Sequence, residues 1–260
     1  MLKNIKILFS YNELLWNLTF REIKIRYKQS VLGLLWVILQ PLAMMLIFTV
    51  IFSCFVKIPT DGIPYPIFSL VGLLPWTFFA AALSFAIPSI VSNINLVTKV
   101  YFPREIFPIA STFAAFFDFF ISLAVLLLFL LYYHIPLTIN MLYTLPILIL
   151  QIILTIAIVL FASALNVYYR DVKYTLPLMI QLWMYLSPVI YPISAVPERF
   201  KFFYMLNPMA PIIDGYRRVI LKGAAPDFIY LLIALVISIG IFAVSYKLFK
   251  KLEMSFPDVI

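Results

Sequence analysis

Soft metal ligands and thiols are almost absent from this sequence, which holds one cysteine, Cys54, and one histidine, His134. A single thiol excludes an intrachain disulfide, so the fold must hold by packing alone. The same shortage leaves no ligand set for a zinc or iron centre of the usual kinds. Glycine is scarce as well, at Gly33, Gly62, Gly72, Gly215, Gly223 and Gly240. A phosphate-cradling loop needs two glycines five apart followed by lysine, and no two here are so spaced. The chain therefore carries no P-loop, and if ATP drives it, another polypeptide binds the nucleotide and its magnesium. Charge is the third shortage: 12% of residues are charged and 65% hydrophobic, where soluble chains run about 25% and about 45–50%. With mean hydropathy at +1.07, too little polar surface exists to wrap a soluble core. These proportions define an all-α integral membrane protein, because apolar runs of roughly 18 or more residues recur along it.

Hydropathy, with charge and proline as punctuation, predicts six spans over residues 31–56, 68–91, 106–133, 142–166, 176–193 and 228–246. About 20 residues cross the roughly 30 Å hydrocarbon core. The fifth stretch is short and holds Pro177, Pro188 and Pro192, so a kink is expected there. Domain organisation follows: residues 1–30 form an N-terminal segment, 31–246 the six-helix domain and 247–260 a short tail. Lysine and arginine give the orientation. Thirteen fall on the side that carries both termini and six on the other, five of these in one long connection between spans five and six. Both termini are thus expected in the cytoplasm, in a multi-pass protein of the cell's inner (cytoplasmic) membrane. The first apolar run is a full-length span after a basic segment, with no short apolar region and small-residue cleavage site, so no cleavable signal is expected.

Two segments outside the spans have amphipathic patterns. Trp16, Phe20, Ile23 and Tyr27 make one apolar stripe at helical spacing, and Asn17, Arg21, Lys24 and Lys28 repeat it one residue on. That pattern describes a helix lying in the membrane interface, serving as a plain anchor or also touching a cytoplasmic partner. The loop of residues 93–108 mixes Val100, Tyr101 and Phe102 with Lys99, Arg104 and Glu105 and closes on two prolines. Apolar knobs rimmed by charge suit a docking surface, and interfacial anchoring of the aromatics is the alternative. Within the spans Asp118 is the one deep acid, a costly position that is often functional, read here as structural, either neutral or hydrogen-bonded between helices.

The segments Tyr27-Lys-Gln-Ser-Val-Leu-Gly-Leu-Leu-Trp36, Leu39-Gln-Pro-Leu42, Gly72-Leu-Leu-Pro-Trp76, Lys99-Val-Tyr-Phe-Pro103, Tyr169-Arg-Asp-Val172, Leu186-Ser-Pro-Val-Ile-Tyr-Pro192 and Leu206-Asn-Pro208 with Tyr216-Arg217 occur in order over nearly the whole chain. In this the sequence resembles the permease subunits of ATP-binding-cassette exporters for O-antigen, capsule and teichoic-acid polymers. The resemblance implies a homodimer joined to two copies of a separate ATPase, with the polymer path between the permease copies. It implies that residues 93–108 hold the helix that seats in the ATPase, and that the N-terminal helix is the interface helix beside it. It further implies short re-entrant helices in residues 195–227 at the outer mouth.

The reading reached is a subunit that exports a lipid-linked surface polysaccharide and does no covalent chemistry of its own. Its expected partners are the ATPase, the glycolipid and membrane lipids, with no nucleic acid. A polymer must slide through weak repeated contacts, which rings with polar edges supply, so Trp36, Phe52, Trp183, Tyr185 and Tyr191 are candidate path residues. Arg199, Lys201, Arg217 and Arg218, concentrated against the positive-inside trend, are candidates for an outer gate or for lipid head groups. Two other readings stay open: an ATP-driven permease for a drug or small lipid, and a membrane enzyme acting on lipid-linked sugars, whose best local cluster is Arg170, Asp171 and Lys173.

Overall fold

The computed structural model describes residues 10–259 except Gln29, Lys57, Asp61 and Tyr101. It is helical, with no strand among the described residues. A backbone in hydrocarbon must satisfy its own polar groups, and helices do so within one segment. Helix α1, Asn12–Tyr27, precedes α2, Leu35–Thr49, which widens into a π-helical stretch at Val50–Phe55. Helix α3 is Tyr65–Ala86. A single turn, Ser89–Ser92, leads to the short α4, Ile94–Lys99, and then to α5, Ile106–Tyr132. A 3-10 turn, Ile139–Tyr143, runs into α6, Thr144–Tyr168. Helix α7 is Asp171–Tyr185, α8 Glu198–Met205, α9 Met209–Leu221 and α10 Phe228–Leu252. The chain ends in the turn Phe256–Val259.

Among the described residues, five helical stretches are long and apolar enough to cross a membrane: Leu35–Phe55, Tyr65–Ala86, Ile106–Tyr132, Ile139–Tyr168 and Phe228–Ser255. The sixth expected span, residues 176–193, is not one continuous helix. Its helix stops at Tyr185, and 15 residues reach only about 22 Å at 1.5 Å per residue. Proline disfavours helix in the residue before it and cannot donate within one, so the segment holding Pro188 and Pro192 leaves the helix as a turn. The Tyr191 hydroxyl donates back to the Tyr185 carbonyl at 2.8 Å and closes that turn over the helix end.

Helix α3 is the axis of the bundle. In its most apolar stretch 78% of residues are buried, against 17% in α2 and in α10. Helix α5 packs chiefly on α3, and α10 on α6. A second, smaller core lies at the end of the bundle where both described ends of the chain meet. There Leu18 of α1, Ile90 of the turn Ser89–Ser92, Val97 and Phe102 of the loop, Phe107 at the foot of α5, Phe249 of α10 and Phe256 close on one another. The last helix runs through Leu252, past the boundary at residue 246 read from hydropathy, and its 3-10 continuation Glu253–Ser255 turns the chain back onto the bundle.

Candidate functional site

At the end of the bundle where both described ends of the chain meet, the loop of residues 93–108 is partly exposed and partly packed into the second core. Lys99 and Val100 are exposed. Arg104 is half-buried and braces the loop from within, donating from Nη1 to the Phe102 carbonyl (2.7 Å) and from Nη2 to that of Val97 (2.9 Å). Tyr101 lies outside the described residues. Two residues expected on this surface face inward instead. Phe102 is buried and meets Phe107 edge-on at 5.3 Å, because an apolar ring next to the bundle's second core removes more surface from water there than outside. Glu105 is 0% exposed and pairs with Lys250, since a carboxylate taken out of water needs a counter-charge. The exposed part of the loop is therefore narrower than its composition suggests.

Helix α1 forms where amphipathicity places it, but its buried face differs. Leu18 and Thr19 are buried, with Tyr11, Leu14 and Leu15 packed beside them. Trp16 and Phe20 remain more than half exposed, Trp16 stacking on Phe113 at 6.0 Å; Ile23 is half-buried and Lys24 exposed. Arg21 Nη2 donates to Asn93 Oδ1, which ties the helix to the start of the loop. The far end of α1 answers the question posed by Asp118. Arg26 Nη1 donates to Asp118 Oδ2 at 2.9 Å, the Tyr27 hydroxyl to Oδ1 at 2.7 Å, and Arg26 Nη2 to the Ser111 carbonyl at 3.2 Å. The Arg26 guanidinium also lies 3.9 Å from the centre of the Phe85 ring. Burial, and then the Asp118 hydrogen bond, hold the Tyr27 phenol protonated well above its ordinary range. Arg26 escaped the sequence reading because its position falls outside both stripes.

At the opposite end the four outer cations separate. Arg199 is exposed and lies over Phe200 at 4.6 Å, Lys201 pairs with Glu198 at 3.1 Å, and Arg218 with Asp214 at 3.1 Å. Burial raises the Asp214 carboxyl, with Arg218 and Arg217 opposing. Arg217 corrects the expectation of an outward cation: it is 4% exposed and points into the fold. Its Nη1 donates to the carbonyls of Pro188 (2.5 Å) and Tyr191 (3.0 Å), Nη2 to Val189 (2.6 Å) and Nε to Phe68 (3.3 Å). The guanidinium lies 3.7 Å from the Phe68 ring centre. Burial lowers it to about 10, which leaves it charged at neutral pH. Gly72 makes the room: a Cβ there would meet Arg217 Nη2 at 2.5 Å and the Val189 oxygen at 2.8 Å. Three separated sequence motifs thus converge on one side chain.

The aromatic candidates separate too. Trp36 and Tyr185 are exposed. Trp183 is half-buried, edge-on to Phe79 at 5.1 Å, and its Nε1 donates to Asn207 Oδ1 at 2.9 Å. Asn207 Nδ2 in turn donates to the Leu186 carbonyl and the Ser187 hydroxyl, both at 2.9 Å. Phe52 stacks on Tyr65, and the Tyr191 hydroxyl meets that of Tyr204 at 3.0 Å. Burial and that contact push the Tyr204 phenol up. Asn207 and Gln151, whose Nε2 donates to the Pro75 carbonyl at 2.7 Å, are polar anchors that the search for charge and rings passed over, although the Leu206-Asn-Pro208 motif contained one of them.

A helical bundle with several membrane-length apolar helices, a braced, partly exposed loop at one end and short helices at the other defines a multi-pass membrane protein. The chain belongs to the ABC-2 type transporter family, whose pattern it matches over residues 13–221. It is 29% identical over 249 residues to the O-antigen export system permease protein RfbA of Klebsiella pneumoniae, covering 95% of each chain. To the protein of the same name in Myxococcus xanthus it is 28% identical over 263 residues, covering 100% of each. The polysialic acid transport protein KpsM of Escherichia coli is 26% identical over 214 residues, 79% of this chain and 80% of that one.

Proposed function

We propose that this chain is the transmembrane subunit of an exporter for a lipid-linked surface polysaccharide of the O-antigen kind, working as a homodimer with two copies of a separate ATPase that bind ATP and magnesium. The observation that carries the reading is a charged, apolar-tipped loop, exposed at Lys99 and Val100 and braced behind by Arg104, in a chain with no P-loop. Full-length likeness to permeases named for O-antigen export supports the cargo. The excess of lysine and arginine on the side of the termini supports a cytoplasmic position for that loop in the inner membrane.

Six crossings fit this reading. Trp183 touches Phe79 midway along α3, and the Ile190 carbonyl accepts from Tyr65 at the start of α3, 2.7 Å away. The turn after α7 thus continues toward the end that α7 does not reach alone. The dimer is supported by apolar faces on α2 with its π-helical continuation and on α7, where Leu46, Val50, Phe55, Leu178 and Leu182 are exposed. Trp36 and Tyr185 stand on those same two helices, where a path between copies would run.

The test is reconstitution. The purified chain alone should hydrolyse no ATP, and with its ATPase in vesicles it should move glycolipid outward. Substituting Lys99→Glu with Val100→Asp should release the ATPase and stop export. Hydrolysis by the isolated chain, or full export by the double variant, would overturn the reading.

A further inference from the structure

Residues 93–108 return to the bundle at Glu105, whose partner comes from the far end of the chain. Lys250, in the last turn of α10, places Nζ 2.7 Å from Glu105 Oε1, 2.8 Å from Oε2 and 2.9 Å from Glu253 Oε1. One ammonium is thus held between two carboxylates, its side chain only 20% exposed. Just beyond, Phe256 is fully buried, edge-on to Phe249 at 5.5 Å and to Tyr168 at 6.2 Å. The turn Phe256–Val259 lies against α4. Residues 247–256, which hydropathy places in a short tail after the last span, are a second support for the loop.

That support has a mechanical consequence. Between α4 and α5 the described residues are not helical: Val100 is extended and Pro103 interrupts the chain, so α4 is not joined to α5 by a continuous helix. A push is carried between elements only through packed contacts and paired charges. Helix α1 grips the front of the loop through Arg21 and Asn93, and the Lys250 cluster grips its root.

We propose that Lys250, together with Glu253 and Phe256, positions the loop for energy coupling by clamping Glu105 to the end of α10, so that displacement of α4 moves the last span instead of bending the loop. The inference rests on the reading of α4 as the element that faces the ATPase. Breaking the clamp leaves a loop that yields under load; the assembled complex then consumes ATP with less export. Reversing both charges keeps two carboxylates around one ammonium and so restores the clamp.

The experiment compares assembled complexes in vesicles, reading polymer exported per ATP hydrolysed. Lys250→Met should lower that ratio about tenfold, within the span usual for coupling between separate sites. The pair Glu105→Lys with Lys250→Glu should recover most of it, which a merely destabilised fold would not do. As a second measurement, spin labels on the exposed positions Thr98 and Val244 should keep one sharp separation with and without ATP in the native chain and a broad one in Lys250→Met. A wild-type ratio in Lys250→Met, no recovery in the reversed pair, or an unchanged label distribution each overturns the clamp. If the Lys99→Glu, Val100→Asp double variant uncouples while the Lys250 variants do not, the clamp alone is wrong. If that double variant has no effect, the reading of α4 itself fails.

Discussion

Arg217→Met should unfasten the end of the bundle opposite the second core. In the native chain three carbonyls of the 188–191 turn accept from the guanidinium within 3.0 Å. Pro188 and Val189 are buried and Tyr191 half-buried, so water cannot fully replace the lost donors. An unpaired buried acceptor costs about 1–3 kcal/mol, and a desolvated stack such as that on Phe68 adds about 2 kcal/mol. Part of this is offset, since removing the side chain also removes the several kcal/mol cost of burying its charge. A net loss of about 3–4 kcal/mol results, or roughly 10 °C in melting temperature for a chain of this size. Gly72→Ala attacks the same contact from the other side, because its Cβ would overlap both Arg217 Nη2 and the Val189 oxygen. With Arg217 already replaced by methionine only the overlap with the Val189 oxygen remains, so the alanine should cost less than in the native chain, giving a coupling above about 1 kcal/mol in the double-mutant cycle. Thermal melts of the purified protein in nanodiscs, followed by tryptophan fluorescence, measure all four corners. A melting point for Arg217→Met within about 2 °C of the native chain, or strictly additive effects, would refute the reasoning. The effect should not vary between pH 6 and 9, since with burial lowering Arg217 to about 10 folded and unfolded chains both hold the proton there.

The remaining predictions concern the same molecule at other points. Asp118→Asn leaves Arg26 buried without its counter-charge and should cost about 3–5 kcal/mol, seen as a lower melting point, and Arg26→Met with Asp118→Leu should recover much of it. Arg199→Gln and Lys201→Gln touch only exposed or solvent-screened groups, so stability should stay within about 0.5 kcal/mol in the same melts. Trp183→Ala removes a ring packed on Phe79 and the donor to Asn207, and should cost about 3–5 kcal/mol, whereas Trp36→Ala and Tyr185→Ala should leave the melting point nearly unchanged and reveal themselves, if at all, in export.

Much of the architecture was legible because hydrocarbon is a severe solvent. Runs of apolar residues as long as 106–133 or 228–246 have no other stable use, and the helices Ile106–Tyr132 and Phe228–Leu252 occupy them. The absent P-loop and the amphipathic loop of residues 93–108 were equally plain, since spacing and composition are local properties. In residues 176–193 hydropathy counted one span, and the kink expected from the prolines there is the turn at Pro188 and Pro192 that leaves the helix after Tyr185.

Side-chain direction was the larger loss. Phe102, Glu105 and Arg217 were read by residue type as surface groups, and all three face inward. A charged or aromatic residue near a helix end takes whichever environment completes its contacts, and those contacts come from far along the chain: Glu105 meets Lys250, Asp118 meets Arg26, and Arg217 meets the 188–191 turn beside Gly72. Composition and periodicity thus determined that this chain is a helical membrane protein and where most of its crossings lie, because burial in lipid depends on sums over neighbouring residues. Only the tertiary structure decided which few charges are buried and how they are paired, because pairing depends on distances between residues that no local pattern encodes.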